Sequence, residues 1–89
     1  MKAVITVVGK DRVGILAMIA NMCAEHQINI LNVSQTIVDG IFTMTMIADI
    51  SELTLPLAEF ATKAKAFGEA KDLVIRVMNR EIFSSMHRI

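Results

Sequence analysis

The 89-residue sequence has no tryptophan, no tyrosine and a single cysteine, Cys23. One cysteine rules out a disulfide framework within the chain, so we expect a reducing, cytoplasmic setting. No apolar run approaches the roughly 20 residues that a membrane-spanning helix needs. The first residues also lack the cleavage pattern of a secretory signal peptide, and we expect no association with a membrane.

An excess of charge is missing as well. Nine basic residues balance nine acidic ones without clustering, which argues against a surface for nucleic acid or anionic lipid. The chain has no tyrosine or tryptophan that could stack on RNA bases from the surface of a sheet. Phe42, the one aromatic residue of the predicted hairpin, is expected on the core side of the hairpin. Apolar residues make up 54% of the chain. In one small domain, this share suggests that another subunit covers part of the surface.

The stretch Gly9–Leu16 joins a buried-strand pattern, Ala3–Val8, to an apolar-helix pattern, Ile15–Ala24. Asp11 is a preferred N-cap residue, whose side chain can accept from a first-turn N–H group. Gly14 then falls in the first turn, where glycine costs about 1 kcal/mol relative to alanine. Close packing of another backbone against the helix would explain a glycine at position 14. A bound ligand would also explain it, since bare N–H groups and the helix dipole attract a carboxylate.

A β-hairpin is predicted around Asp39-Gly40, the strongest short turn signal in the chain. The predicted pairs are Val38/Ile41, Ile37/Phe42, Gln35/Met44, Val33/Met46 and Leu31/Ala48. The alternate pairs, Thr36/Thr43 and Ser34/Thr45, are polar. One face of this hairpin should therefore meet the helices, and the other should meet water or a partner.

A second helix should begin near Pro56 and end before Gly68, which reads as the residue just past its end. Its predicted buried stripe is Leu57, Phe60, Ala61, Ala64 and Phe67. A fourth strand follows at 73–78. The order indicates an α+β, ferredoxin-like βαββαβ fold, with a four-stranded antiparallel sheet and both helices on one face. We assign residues 1–80 to this domain and residues 81–89 to a short C-terminal helix that docks on the domain or its partner.

The segment Asp11–Leu16, followed by Ile28–Ile30, resembles the signature of the ACT domain, a small-molecule-sensing module. The resemblance covers the chain up to the tail. It is greatest to stand-alone bacterial ACT proteins, and it extends to the ACT regions of formyltetrahydrofolate deformylase and the glycine-cleavage regulator. It implies an amino acid or similar small carboxylate bound between two subunits. The implied ligand-binding residues are Asp11, Arg12, Val13, Gly14 and Ile15 of one subunit and Asn29 of the other.

Two residues depart from the family pattern. Gly9 stands where the serine-binding domain of phosphoglycerate dehydrogenase has a histidine, which puts serine specificity in doubt. Val13 stands where proline is usual. The two-subunit site has independent support, because Gly14 and Asn29 are separated by the first helix, roughly 18 Å of length. A homodimer that pairs the Asn29 strands would bring each Asn29 towards the partner's loop and cover an open sheet edge.

Each candidate also has a simpler structural interpretation. Asp11 could serve only as a helix cap, and Asn29 could be a turn residue that bonds its own backbone. Arg12 could be solvated or could steer an anionic ligand. Cys23 is expected in the core, and His26 is expected to complement the helix terminus.

Neither a cofactor nor a metal ion is expected, since His26 and His87 lack metal-ligand spacing and a third ligand.

Three functions follow from these observations. The first is a regulatory module that senses an amino acid at a dimer interface and signals through a separate, unidentified protein. The second is a ligand-free, ACT-like dimer that acts through protein contacts, with the tail as a possible contact. The third, an enzyme, is not expected, because the sequence offers no nucleophile–base pair or paired carboxylates with sensible placement.

Overall fold

The computed structural model describes residues 1–81, in which six regular elements follow the predicted order. They are β1 (Lys2–Lys10), α1 (Ile15–Glu25), β2 (Asn29–Val38), β3 (Ile41–Asp49), α2 (Leu57–Glu69) and β4 (Leu73–Asn79). The predicted βαββαβ fold is confirmed. The helix predicted for the 81–89 tail falls outside the described residues, apart from Glu81.

The strands form one antiparallel sheet in the order β2-β3-β1-β4. Its central strand, β1, is apolar on both faces, as the sequence indicates: Ile5 and Val7 are fully buried, and Val4, on the opposite face, is 2% exposed. The core lies between the sheet and the helices. Its buried residues are Ala3, Ile5, Val7, Ile15, Ile19, Met22, Cys23, Ile28, Phe42, Met44, Met46, Ala48, Ile50, Phe60, Ala64, Leu73 and Ile75.

The β2–β3 hairpin has the predicted turn and, over most of its length, the predicted register. Asp39 and Gly40 both adopt positive φ, at 50° and 77°. The pairs from Val38/Ile41 to Val33/Met46 are confirmed. The pair Leu31/Ala48 is wrong, because a register shift between Ile30 and Asn32 places Ile30 opposite Ala48. A bulge of this kind adds one residue to a strand, which alternation of apolar residues cannot reveal.

The prediction that Gly68 lies just past the end of α2 is wrong. This residue lies inside α2, which continues to Glu69, and it is buried. A Cβ at this position would lie 2.7 Å from the carbonyl oxygen of Leu73 and 2.8 Å from Cγ1 of Ile75. The glycine therefore allows α2 to press against β4, and it does not end the helix.

The first helix is buried along one stripe only: Ile15, Ile19, Met22 and Cys23. The sequence predicts burial on more than one side, yet Leu16 is 42% exposed and Ala24 is exposed as well. On a helix, residues 16, 20 and 24 share one flank. Because Met18 and Met22 line the groove towards α2, this second apolar flank faces the β2 side and is uncovered in a single chain.

Candidate ligand site at the first helix

The N-terminus of α1 has no side-chain cap. Its N-cap residue is Gly14, in the left-handed conformation at φ 92° and ψ 2°, and the first helical bond runs from the Met18 N–H to the Gly14 carbonyl, 3.0 Å away. The prediction that Asp11 caps the helix is therefore wrong, as is the placement of Gly14 in the first turn. The amides of Ile15, Leu16 and Ala17 begin the helix without an internal partner, and such groups bind anions.

The reason for glycine at position 14 is conformational. A Cβ added there would have no atom of residues 1–81 within 4 Å, so close backbone packing is not the explanation. A left-handed φ instead costs a residue other than glycine about 1 kcal/mol or more. The space above Gly14, beside the start of α1, is open to a small ligand.

The β1–α1 loop is fastened at two points. The N–H of Asp11 donates to the carbonyl oxygen of Gly40 in the hairpin turn, at 2.8 Å. The guanidinium of Arg12 donates to the carbonyl oxygen of Lys71 in the turn before β4, at 2.5 Å. Arg12 thus positions the loop and is not simply solvated. These contacts join residues far apart in the chain, so no sequence pattern pointed to Gly40 or Lys71.

The other loop residues differ in what they can offer to a ligand. Val13 is fully exposed, whereas Ile15, backbone included, is 2% exposed and packs in the core. The side chain of Ile15 therefore cannot reach a ligand. A Cβ at Gly9 would lie 2.6 Å from Cδ2 of Leu73 and 3.0 Å from the carbonyl oxygen of Asp72, so a larger residue would have to displace the turn before β4 or the Leu73 side chain.

Asn29 lies at the far end of α1, as the sequence implies. The 11-residue helix spans about 16 Å, so the structure does not bring Asn29 to Gly14 within one chain. Asn29 is the first residue of β2, and Gln27 makes the preceding turn with φ 61°, so the interpretation of Asn29 as the turn residue is wrong.

Opposite Asn29 stands Asp49. Its Oδ1 accepts from the hydroxyl and the amide of Ser51, and these bonds lower the Asp49 pKa below its usual value.

The edge strand β2 is unusual for its exposed apolar side chains. Nine of its ten residues are exposed, Ile30 being half-buried, and none is charged. Leu31, Val33, Ile37 and Val38 are between 39% and 65% exposed. Long uncharged edges invite pairing with another strand, which natural monomers commonly prevent with charges or proline. Val33 and Ile37 pair with the buried residues Met46 and Phe42, so they lie on the helix side of the sheet, as does the exposed Leu16 of α1.

Chemistry beyond binding finds little support among the described residues. Burial raises the pKa of the Cys23 thiol to about 11, which makes it a poor nucleophile. His26 follows α1 at the C-cap position and packs edge-on against Phe60, with ring centroids 5.3 Å apart. No group of three metal-ligating side chains occurs within residues 1–81, and His87 lies outside them. No helix in that range is long and apolar enough to cross a membrane.

Known proteins resemble this chain in sequence and in fold. Residues 2–77 match the family described as the ACT domain. A UPF0237 protein of Listeria innocua is 48% identical over 89 residues, which is 100% of both chains. The solved structure of an ACT domain protein from Streptococcus pneumoniae is 37% identical, with a TM-score of 0.82 and 93% of each chain covered. A formyltetrahydrofolate deformylase from Pseudomonas syringae pv. tomato shares only the fold: 24% identity and a TM-score of 0.77 over 88% of this chain and 27% of that one.

Proposed function

Because the chain belongs to the ACT domain family, whose members are in general small-ligand-sensing regulatory modules, we propose that it binds an amino acid or similar small carboxylate at a homodimer interface. The observation that carries this proposal is the uncapped N-terminus of α1 beside an exposed, uncharged edge strand. The first feature suits a carboxylate, and the second suits a second copy of the chain.

The proposed dimer pairs β2 with its own copy in antiparallel orientation, about a twofold axis at the middle of the strand. This pairing would satisfy the open edge and cover Val33 and Ile37, which are 39% and 54% exposed. It would also cover the flank of α1 that carries Leu16. No like charges would meet, because β2 has no charged side chain.

The same pairing completes the site. When β2 pairs with its copy about its middle, Asn29 comes opposite the partner's Val38, the last residue before the hairpin turn. That turn is the one to which Asp11 is bonded, at 2.8 Å, through Gly40. Asn29 would therefore stand beside the partner's β1–α1 loop, although it lies a helix length from its own.

In this site the ligand carboxylate would accept from the amides at the start of α1, around Ile15 and Leu16. The exposed carboxylate of Asp11 would hold the ligand's ammonium group, and the side-chain amide of Asn29 would reach it from the other subunit. Arg12 would act as a positioning residue through its bond to Lys71. Binding would then be passed to a separate protein.

The test is a thermal-shift screen of the twenty amino acids, folates and nucleotide metabolites. A ligand at about 100 times its dissociation constant should raise the free energy of unfolding by about 2.7 kcal/mol. We expect a shift with at least one amino acid. No shift with any of these compounds would contradict the proposal and favour the ligand-free interaction module.

A further inference from the structure

Among residues 1–81, no strand pairs with the second edge of the sheet, β4, on the side away from β2. The proposed dimer would leave it uncovered. Along its length runs a trough between β4 and the outer stripe of α2, formed by Ala61, Lys65 and Glu69. It comprises two adjoining cavities of about 310 and 270 Å³, which share Lys65, Ile75 and Arg76. An extended segment added to β4 would therefore lie along the trough.

The trough has an apolar floor, and a basic residue lies beside it on the outer face of β4. Leu73 and Ile75 are each 2% exposed and form the floor, and Val74 is 55% exposed on the opposite face of the strand. Lys65 lines both cavities from the α2 side, whereas Glu69 lines only the cavity nearer Leu73. Arg76 borders both cavities as part of β4, but it follows the buried Ile75 and so shares the outer face of the strand with Val74. An acidic side chain at the middle of an added strand would meet Arg76 on that outer face, and the apolar side chains on the other face of the added strand would lie over Leu73 and Ile75.

A second copy of the chain is a poor occupant. Arg76 is the central residue of the seven in β4, so symmetric antiparallel pairing of two such strands would place Arg76 against its own copy. Like charges directly opposite each other destabilise a strand pair. The ten residues of β2 carry no charge. The β2 edge therefore suits pairing with its own copy, whereas the β4 edge suits a strand of opposite charge.

We propose that the β4 edge binds an extended segment of a partner protein in which acidic and apolar side chains alternate. Main-chain hydrogen bonds to β4 would supply the affinity, and the apolar trough on one face with Arg76 on the other would supply the specificity. A different explanation of Arg76 is that its charge only prevents edge-to-edge aggregation. That explanation predicts no preference for acidic strands and no site along the trough.

The experiment is a titration of the ¹⁵N-labelled full chain, followed by amide chemical shifts. Its probe is a nine-residue capped peptide that alternates valine and glutamate. The matched peptides are one with lysine in place of glutamate, and one with alternate backbone nitrogens methylated to block strand pairing. We expect the acidic peptide to shift amides of Leu73–Asn79 and of the α2 stripe at millimolar concentration, and both matched peptides to bind at least about fivefold more weakly.

Arg76→Glu should weaken binding of the acidic peptide about tenfold and allow the lysine peptide to bind at β4. The matched control is Lys63→Glu, which makes the same charge change on the α2 face turned to α1 and should leave both affinities unchanged. Three results would overturn the proposal. One is the absence of chemical-shift changes in β4 at about 5 millimolar acidic peptide. Another is an equal effect of the two charge-reversed variants on peptide binding. The third is equal binding of the methylated peptide.

Discussion

Asp11 and Gly40, 29 positions apart in the sequence, are joined by a backbone hydrogen bond of 2.8 Å that fastens the β1–α1 loop to the turn of the hairpin. The turn directly follows β2, the strand proposed to pair with its copy. Any force that orders the end of β2 therefore acts on the loop as well. Dimerisation and ligand binding are expected to be coupled through this bond, each favouring the other.

The first prediction concerns the dimer. Light scattering of the wild-type chain at micromolar concentration should give twice the 9.8 kDa chain mass. Val33→Lys, near the middle of β2, places two lysines close to the twofold axis and removes apolar contact, so it should give a monomer. Val74→Lys makes the same substitution on β4 and should leave the dimer intact. A monomeric wild-type chain, or equal effects of the two variants, would contradict pairing through β2.

Gly68→Ala tests the packing of α2 on β4. In a helix interior, glycine to alanine normally stabilises by about 1 kcal/mol. Here the new methyl group would meet the Leu73 carbonyl at 2.7 Å, and overpacking of this kind costs about 1–3 kcal/mol, so the sign should reverse. Urea denaturation should show a net loss of stability. Thr62→Ala, at an exposed position of the same helix, is the control and should not destabilise by more than about 0.5 kcal/mol.

The Cys23 thiol gives a prediction about pH. Burial raises its pKa to about 11 from a usual 9.0, so the folded chain keeps the neutral thiol where the unfolded chain ionises. The resulting stability is complete below pH 9 and is lost as the pH rises towards 11. Denaturation at several pH values should show this fall in the wild type and a smaller one in Cys23→Ala. Ellman's reagent at pH 8 should label the folded chain far more slowly than the denatured one; comparable rates would show that the thiol is not buried.

Sequence reasoning succeeded where a residue's role is set by its neighbours in the chain. The alternation around Asp39-Gly40 predicts most of the hairpin register, and the apolar pattern of β1 predicts its central place. It failed where contacts across the fold decide. Gly68 resembles a helix end until the backbone of Leu73 is seen against it, and Asp11 resembles a cap although Gly14 turns the chain into the helix. The bonds from Asp11 and Arg12 to distant carbonyl groups had no local signal.

Asn29→Ala should remove most of the thermal shift caused by whichever amino acid the screen identifies, since the ligand would lose its contact with the second subunit. The control is Asn32→Ala, a change of the same kind on the same strand that should leave the shift intact. Asn29 and Asn32 are both exposed in a single chain, so the melting temperature of each variant without ligand should differ little from that of the wild type. An unchanged thermal shift in Asn29→Ala would show that Asn29 does not contact the ligand.

The most direct test is calorimetry of a mixed dimer made from Asn29→Ala and Val13→Glu chains. Val13 is fully exposed, so the new carboxylate should repel an anionic ligand at the loop without disturbing the fold. Each parental dimer should bind the ligand far more weakly than the wild type. The mixed dimer should regain one site, half the wild-type number, because an intact loop on one chain meets an intact Asn29 on the other. Wild-type affinity in the Asn29→Ala parent, or no site of wild-type affinity in the mixed dimer, would contradict a site shared between two subunits.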